Sequence, residues 1–142
     1  GLTNNGLSIL SELLKGMSNI RTLRMDFSFC QKISNTGMGI LKETFRSLKS
    51  LRHLALNLNC CNSITPEGWD ILKDGIKRLS LVSLSLDFSE STNILAKRME
   101  SFKKLLDGLT SLQSLSLNFY YCLQVLDEGI ENLLKVYNFF QH

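Results

Sequence analysis

One phrase of alternating apolar and polar residues recurs four times: IRTLRMDF from Ile20, LRHLALNL from Leu51, LVSLSLDF from Leu81 and LQSLSLNF from Leu112. The starts are 31, 30 and 31 residues apart. A repeat of that length is one supersecondary unit, which can bury its apolar surface only by stacking on its neighbours. Few architectures satisfy that condition.

Within each phrase, apolar residues stand at every second place from the fourth position on. They are Leu23, Met25 and Phe27; Leu54, Leu56 and Leu58; Leu84, Leu86 and Phe88; and Leu115, Leu117 and Phe119. Period two means a strand with one buried face and one wet face. The second half of each unit changes period. Met38, Leu41 and Phe45 are spaced by three and four, as are Trp69, Leu72 and Ile76, then Met99, Phe102 and Leu106, then Ile130, Leu133 and Tyr137. That spacing is helical. Ser34 and Thr65 are suited to cap helix starts, and Pro66 suits a first helical position. Each unit therefore reads as strand, turn, helix.

Residues 1–19 match the tail of an earlier unit: Leu2, Thr3, Gly6, Leu7, Leu10, Leu14 and Met17 fall where Ile64, Thr65, Gly68, Trp69, Leu72, Ile76 and Leu79 stand. The chain divides into a partial unit, 1–19, and four units, 20–50, 51–80, 81–111 and 112–142, with nothing left for a linker or inserted domain. A single domain spanning 1–142 is expected. Because a terminal unit needs a polar outer cap, the mid-unit opening and the apolar close with Tyr137, Phe139 and Phe140 suggest a segment of a longer array.

The pattern LxxLxLxFxxCxxIxxxGxxxLxxxFxxL resembles the leucine-rich repeat family over essentially the whole chain, and most of all its ribonuclease-inhibitor-like and cysteine-containing types. The resemblance implies an α/β fold: a right-handed βα solenoid of about 4.5 repeats, with a parallel sheet on the concave face and helices on the convex face. It also implies that Cys30, Cys61 and Cys122 take the place of the family's turn asparagine. The third full unit departs, with Ser91 for cysteine, and Leu95 and Arg98 for the cap residue and the glycine. The family hosts many functions, so fold alone assigns none.

Composition narrows the rest. Sixteen Lys and Arg against thirteen Asp and Glu leave a net charge of +3, too mild for a dedicated nucleic-acid binder. No apolar run is long enough for a membrane span. Four cysteines with no metal-ligand spacing read as free thiols in a reducing, cytoplasmic setting. Cys60 and Cys61 lie seven and eight residues beyond His53, roughly 23 Å or more along an extended chain, which makes no dyad. The glycines that recur once per unit form no phosphate loop. No catalytic residue, cofactor or metal site is expected.

The expected work is done by a surface. Parallel strands that alternate, instead of running apolar throughout, should leave one face open. Its side chains would be rows of Thr22, His53, Ser83 and Ser114; Arg24, Ala55, Ser85 and Ser116; Asp26, Asn57, Asp87 and Asn118; and Ser28, Asn59, Ser89 and Tyr120. Arg24, Asp26, His53, Asn57, Asn59, Asp87, Asn118, Tyr120 and Tyr121 are the candidate partner-binding residues on this wall and its rim. The Asp/Asn row is the most distinctive, because both types are disfavoured in strands. It could offer hydrogen bonds to a partner or keep the face soluble. On the helices, Lys42, Lys73 and Lys103 could form a basic stripe with Lys15, Arg46 and Lys77, unless Glu43 and Asp74 pair with Arg46 and Lys77. The expectation is a non-catalytic protein-interaction module. Alternatives are a building block of a cytoskeletal, ciliary or other large assembly, or, by resemblance, the substrate-recognition arm of a ubiquitin ligase.

Overall fold

A computed structural model describes residues 1–91 and 99–120. Helices and strands alternate: α1 (Asn4–Lys15), β1 (Thr22–Asp26), α2 (Asn35–Ser47), β2 (His53–Asn57), α3 (Pro66–Ile76), β3 (Ser83–Asp87), α4 (Met99–Gly108) and β4 (Ser114–Asn118). The strands form one parallel sheet in the order β1-β2-β3-β4. Its register aligns the repeats column by column, so that Thr22, His53, Ser83 and Ser114 are partners, as are Asp26, Asn57, Asp87 and Asn118. The architecture is α/β with strands and helices in strict alternation, as a βα repeat requires. Expectations that fall on residues 92–98 and 121–142, Arg98, Tyr121 and Cys122 among them, lie outside the described residues.

Alternation in the sequence becomes alternation in burial. Leu54, Leu56, Leu84 and Leu86 are each at most 2% exposed, and they pack with Leu41, Leu72, Phe102 and Leu106 from the helices. Trp69, at 0% exposure, stacks on Phe102 with ring centroids 5.3 Å apart and meets Phe88 edge-on at 5.4 Å. Had Leu56 or Leu86 faced water, the register read from the sequence would have been wrong. No helix among the described residues is long and apolar enough to cross a membrane.

Helix starts follow the sequence signals, with an addition. Thr3 caps α1 by accepting from the Gly6 N–H at 3.2 Å, and Ser34 caps α2 by accepting from Thr36 N–H at 3.3 Å. Pro66 opens α3 behind Thr65, whose hydroxyl makes no cap bond and turns instead to Glu67 at 2.6 Å. The addition is a clamp between units. Asn4 donates to the Ser34 hydroxyl at 2.9 Å and accepts from its N–H at 3.2 Å. One unit on, Asn35 does the same to Thr65, at 2.8 and 3.0 Å. The recurring glycine serves this clamp: a Cβ on Gly37 would lie 2.8 Å from Asn4 Oδ1, and one on Gly68 would lie 2.1 Å from Asn35 Oδ1.

A second link joins the turns after the strands. Cys61 Sγ donates to the Phe27 carbonyl one unit back, at 3.0 Å. Ser91 Oγ donates in the same way to the Leu58 carbonyl and accepts from Cys61 N–H at 3.1 Å. Ser91, a departure from the pattern by residue type, does the same job as the cysteine, because a hydroxyl supplies the same donor at the same place.

Candidate functional site

Helices cover one face of the sheet. On the other, the side chains that alternate with the buried leucines are exposed or half-buried: Arg24, Asp26 and His53 are exposed, Ala55, Asn57, Ser85 and Asp87 half-buried. Two adjoining hollows are floored by the small Ala55. Arg24, Asp26, Asn57, Ser85 and Asp87 line one; Thr22, Arg24, His53 and Ser83 rim the other.

The Asp/Asn row has a local task that the sequence reading did not assign. Asp26, Asn57, Asp87 and Asn118 each accept, through Oδ1, the N–H two residues on, at 2.8, 2.9, 2.8 and 3.0 Å. These are Asx turns, which end each strand and explain how so poor a strand former holds the same place four times. The signal was in the sequence: a short polar side chain two residues ahead of the turn. The outer atoms also pair across strands, Asn118 Nδ2 donating to Asp87 Oδ2 at 3.1 Å. Hydrogen bonds from Ser28, first from its side chain and then from its backbone, hold the Asp26 carboxyl below its ordinary range, so it is ionised at neutral pH.

Beyond the strand ends, the rim repeats an unusual backbone. Phe29, Cys60 and Glu90 occupy equivalent positions with φ of 59°, 54° and 57°. Non-glycine residues there carry strain on the order of 1–3 kcal/mol. The conformation lets each N–H bond across: Phe29 to the Asn59 carbonyl at 2.9 Å, Cys60 to Ser89 at 3.1 Å and Glu90 to Tyr120 at 2.9 Å. Cys60 Sγ donates to Glu90 Oε2 at 3.5 Å. Phe29 and Tyr120 are 68% and 64% exposed.

The thiols differ in a way that can be measured. Burial pushes the Cys61 thiol up to about 11, and its hydrogen bond to Phe27 requires the protonated form. Cys60 is raised too, first by desolvation and then by Glu90. Alkylation goes through the thiolate. Iodoacetamide at pH 7.5 is therefore expected to modify Cys60 several-fold more slowly than an unstructured peptide thiol, and Glu90→Gln to speed it. A Cys60 rate equal to the peptide's, or one indifferent to Glu90→Gln, refutes this environment.

Of the candidate residues, Arg24, Asp26, His53, Asn57 and Asp87 stand together on the open face, and Asn118 on β4 continues their row. Asn59 turns inward along the rim, donating to the Ser89 carbonyl and hydroxyl at 3.1 and 2.7 Å. The basic stripe on the helices is largely neutralised: Arg46 pairs with Glu43 at 3.2 Å, Lys77 with Asp74 at 3.0 Å, Lys103 with Asp107 at 2.8 Å and Lys15 with Glu12 at 3.3 Å. Sequence reading missed one contact, His53 Nδ1 hydrogen-bonded to Ser83 Oγ at 2.9 Å. This pair is exposed and, among the described residues, has no carboxylate to orient the imidazole, so it is a cross-strand bond lacking the third member of a nucleophilic triad. No group of three His, Cys, Asp or Glu among the described residues could hold a metal ion.

No protein-family model matches this chain, and no curated protein matches it in sequence.

Proposed function

We propose that this chain is a non-catalytic protein-interaction module, a leucine-rich-repeat-like solenoid whose open, concave strand face receives a protein partner. The observation that carries the reading is the uncovered face of a parallel sheet. Such sheets ordinarily carry helices on both sides, whereas here the β1–β4 face keeps Arg24, Asp26 and His53 exposed around hollows floored by Ala55. A residue set that is polar, small at its centre and built on rigid strands suits recognition better than chemistry.

A second reading, a fixed component of a larger assembly, has its own support. On α1, Ile9 and Leu13 are 68% and 65% exposed and lie on one helix face four residues apart, and Met17, 55% exposed, follows just past the helix end. Thr44 of α2 meets Ser11 of α1, and Gly75 of α3 comes close to Lys42 of α2; Leu13 holds the corresponding place on α1.

One experiment separates these readings. A photo-crosslinking residue is placed at Ser85 on the strand face, at Leu13 on α1 and at Lys104 on the exposed side of α4, and adducts formed in the native source are identified by mass. A partner joined from position 85 and absent from 104 supports the interaction module. Adducts from 13 alone favour the fixed component, and equal labelling from all three defeats both.

A further inference from the structure

The chain places more at the carboxyl ends of its strands than the fold requires. The Asx turns need one oxygen acceptor each, and Asn57 and Asn118 supply it at 2.9 and 3.0 Å as neutral amides. The negative charges of Asp26 and Asp87 are therefore surplus to the turn. The left-handed rim position is easiest for glycine, yet Phe29 takes it with its ring 68% exposed. Glu90, exposed, occupies the equivalent place two units on, and Tyr120, 64% exposed, stands beside it at the end of β4. The positive groups nearest this rim are Arg24, which lines the same hollow as Asp26 and Asp87, and Lys32 in the loop beyond Phe29; Arg21 and Arg52 lie at the amino ends of β1 and β2. Of these, Arg52 is engaged with the Lys49 and Leu51 carbonyls at 3.2 and 2.9 Å.

Carboxylates flanked by exposed aromatic rings form the chemistry that receives a guanidinium or ammonium group, one part by ion pairing and the other through the ring face. We propose that the rim running from Asp26 and Phe29 through Asp87 and Glu90 to Tyr120 binds an arginine- or lysine-bearing segment of a partner protein. The inference rests on the strand face being an interaction surface and specifies what that surface takes. Asp26 and Asp87 are two strands apart, about 10 Å, so a segment laid across the strands meets both through cations at that spacing. The chain's net charge of +3 repels polycations at long range. Binding of a polycation therefore reports this patch and no general attraction.

The test is fluorescence anisotropy of fluorescein-labelled nona-arginine titrated with the 142-residue chain at low salt, with labelled nona-glutamate in parallel. The nona-arginine peptide is expected to bind more tightly. The triple variant Asp26→Asn, Asp87→Asn, Glu90→Gln keeps every turn acceptor, since asparagine already serves at two places in that row, and is expected to weaken nona-arginine about tenfold or more. Phe29→Gly is expected to weaken it several-fold while leaving the thermal midpoint unchanged or raised, because glycine relieves the left-handed backbone. Absence of nona-arginine binding, tighter binding of nona-glutamate, or an unchanged triple variant overturns the proposal. Each of these results leaves crosslinking from Ser85 to stand or fall by itself.

Discussion

Replacing Trp69 with alanine is expected to lower the free energy of unfolding by about 3–5 kcal/mol, the range for emptying a buried large aromatic site. The indole is 0% exposed, and its loss opens the junction where α3 meets β3 and α4: Phe102 loses a stacked ring at 5.3 Å and Phe88 an edge-on one at 5.4 Å. The disturbance extends one unit further, since Phe119 stacks on Phe88 at 5.8 Å and meets Phe102 edge-on at 6.0 Å. Against a total stability of roughly 5–15 kcal/mol, this leaves little margin. Urea unfolding followed by circular dichroism measures it. Trp69→Phe is expected to lose clearly less, because Nε1 has no hydrogen-bond partner among the described residues and a ring remains in place. A loss below about 1 kcal/mol for the alanine variant would contradict the burial described here.

Trp69 was legible as a core residue because helical spacing and residue type agree at its position, and the strand leucines were legible for the same reason with period two. Column-by-column register followed from units of nearly equal length. What escaped the reading depends on a single side chain reaching into the next unit. Asn4 and Asn35 look like ordinary first-turn residues until Ser34 and Thr65 are brought beside them. Ser91 looks like a break in the cysteine pattern, although its hydroxyl makes the same bond to the preceding coil. The left-handed backbone at Phe29, Cys60 and Glu90 carries no local signal, for the chain uses none of the residues that favour it. At the candidate surface, the Asp/Asn row was found by its oddity in a strand, and half of that oddity is structural: one oxygen of each side chain ends the strand, and only the other atoms face outward.

The unit-to-unit clamp makes the second large prediction. A methyl group on Gly68 would stand 2.1 Å from Asn35 Oδ1 and 2.8 Å from Ile64 Cγ2. Gly68→Ala must push the asparagine away and strain the isoleucine. Overpacking costs about 1–3 kcal/mol, and losing the two Asn35 bonds to Thr65 costs about 1 kcal/mol each, so a total loss of about 3–5 kcal/mol is expected. Gly39→Ala on α2 is the contrast, because its added Cβ meets nothing within 4 Å; it should stabilise by about 0.4–1 kcal/mol through the unfolded chain. Asn35→Ala alone removes the bonds without the clash, for about 1–2 kcal/mol. In the double variant the methyl group enters space the amide has left, so the double loss should fall short of the summed single losses by about 1–2 kcal/mol, with the Ile64 contact setting what remains. Urea titrations of the four proteins in the cycle give that coupling. Strictly additive losses would mean that Asn35 and Gly68 do not sense each other, and that the glycine is kept at this place by something other than the clamp.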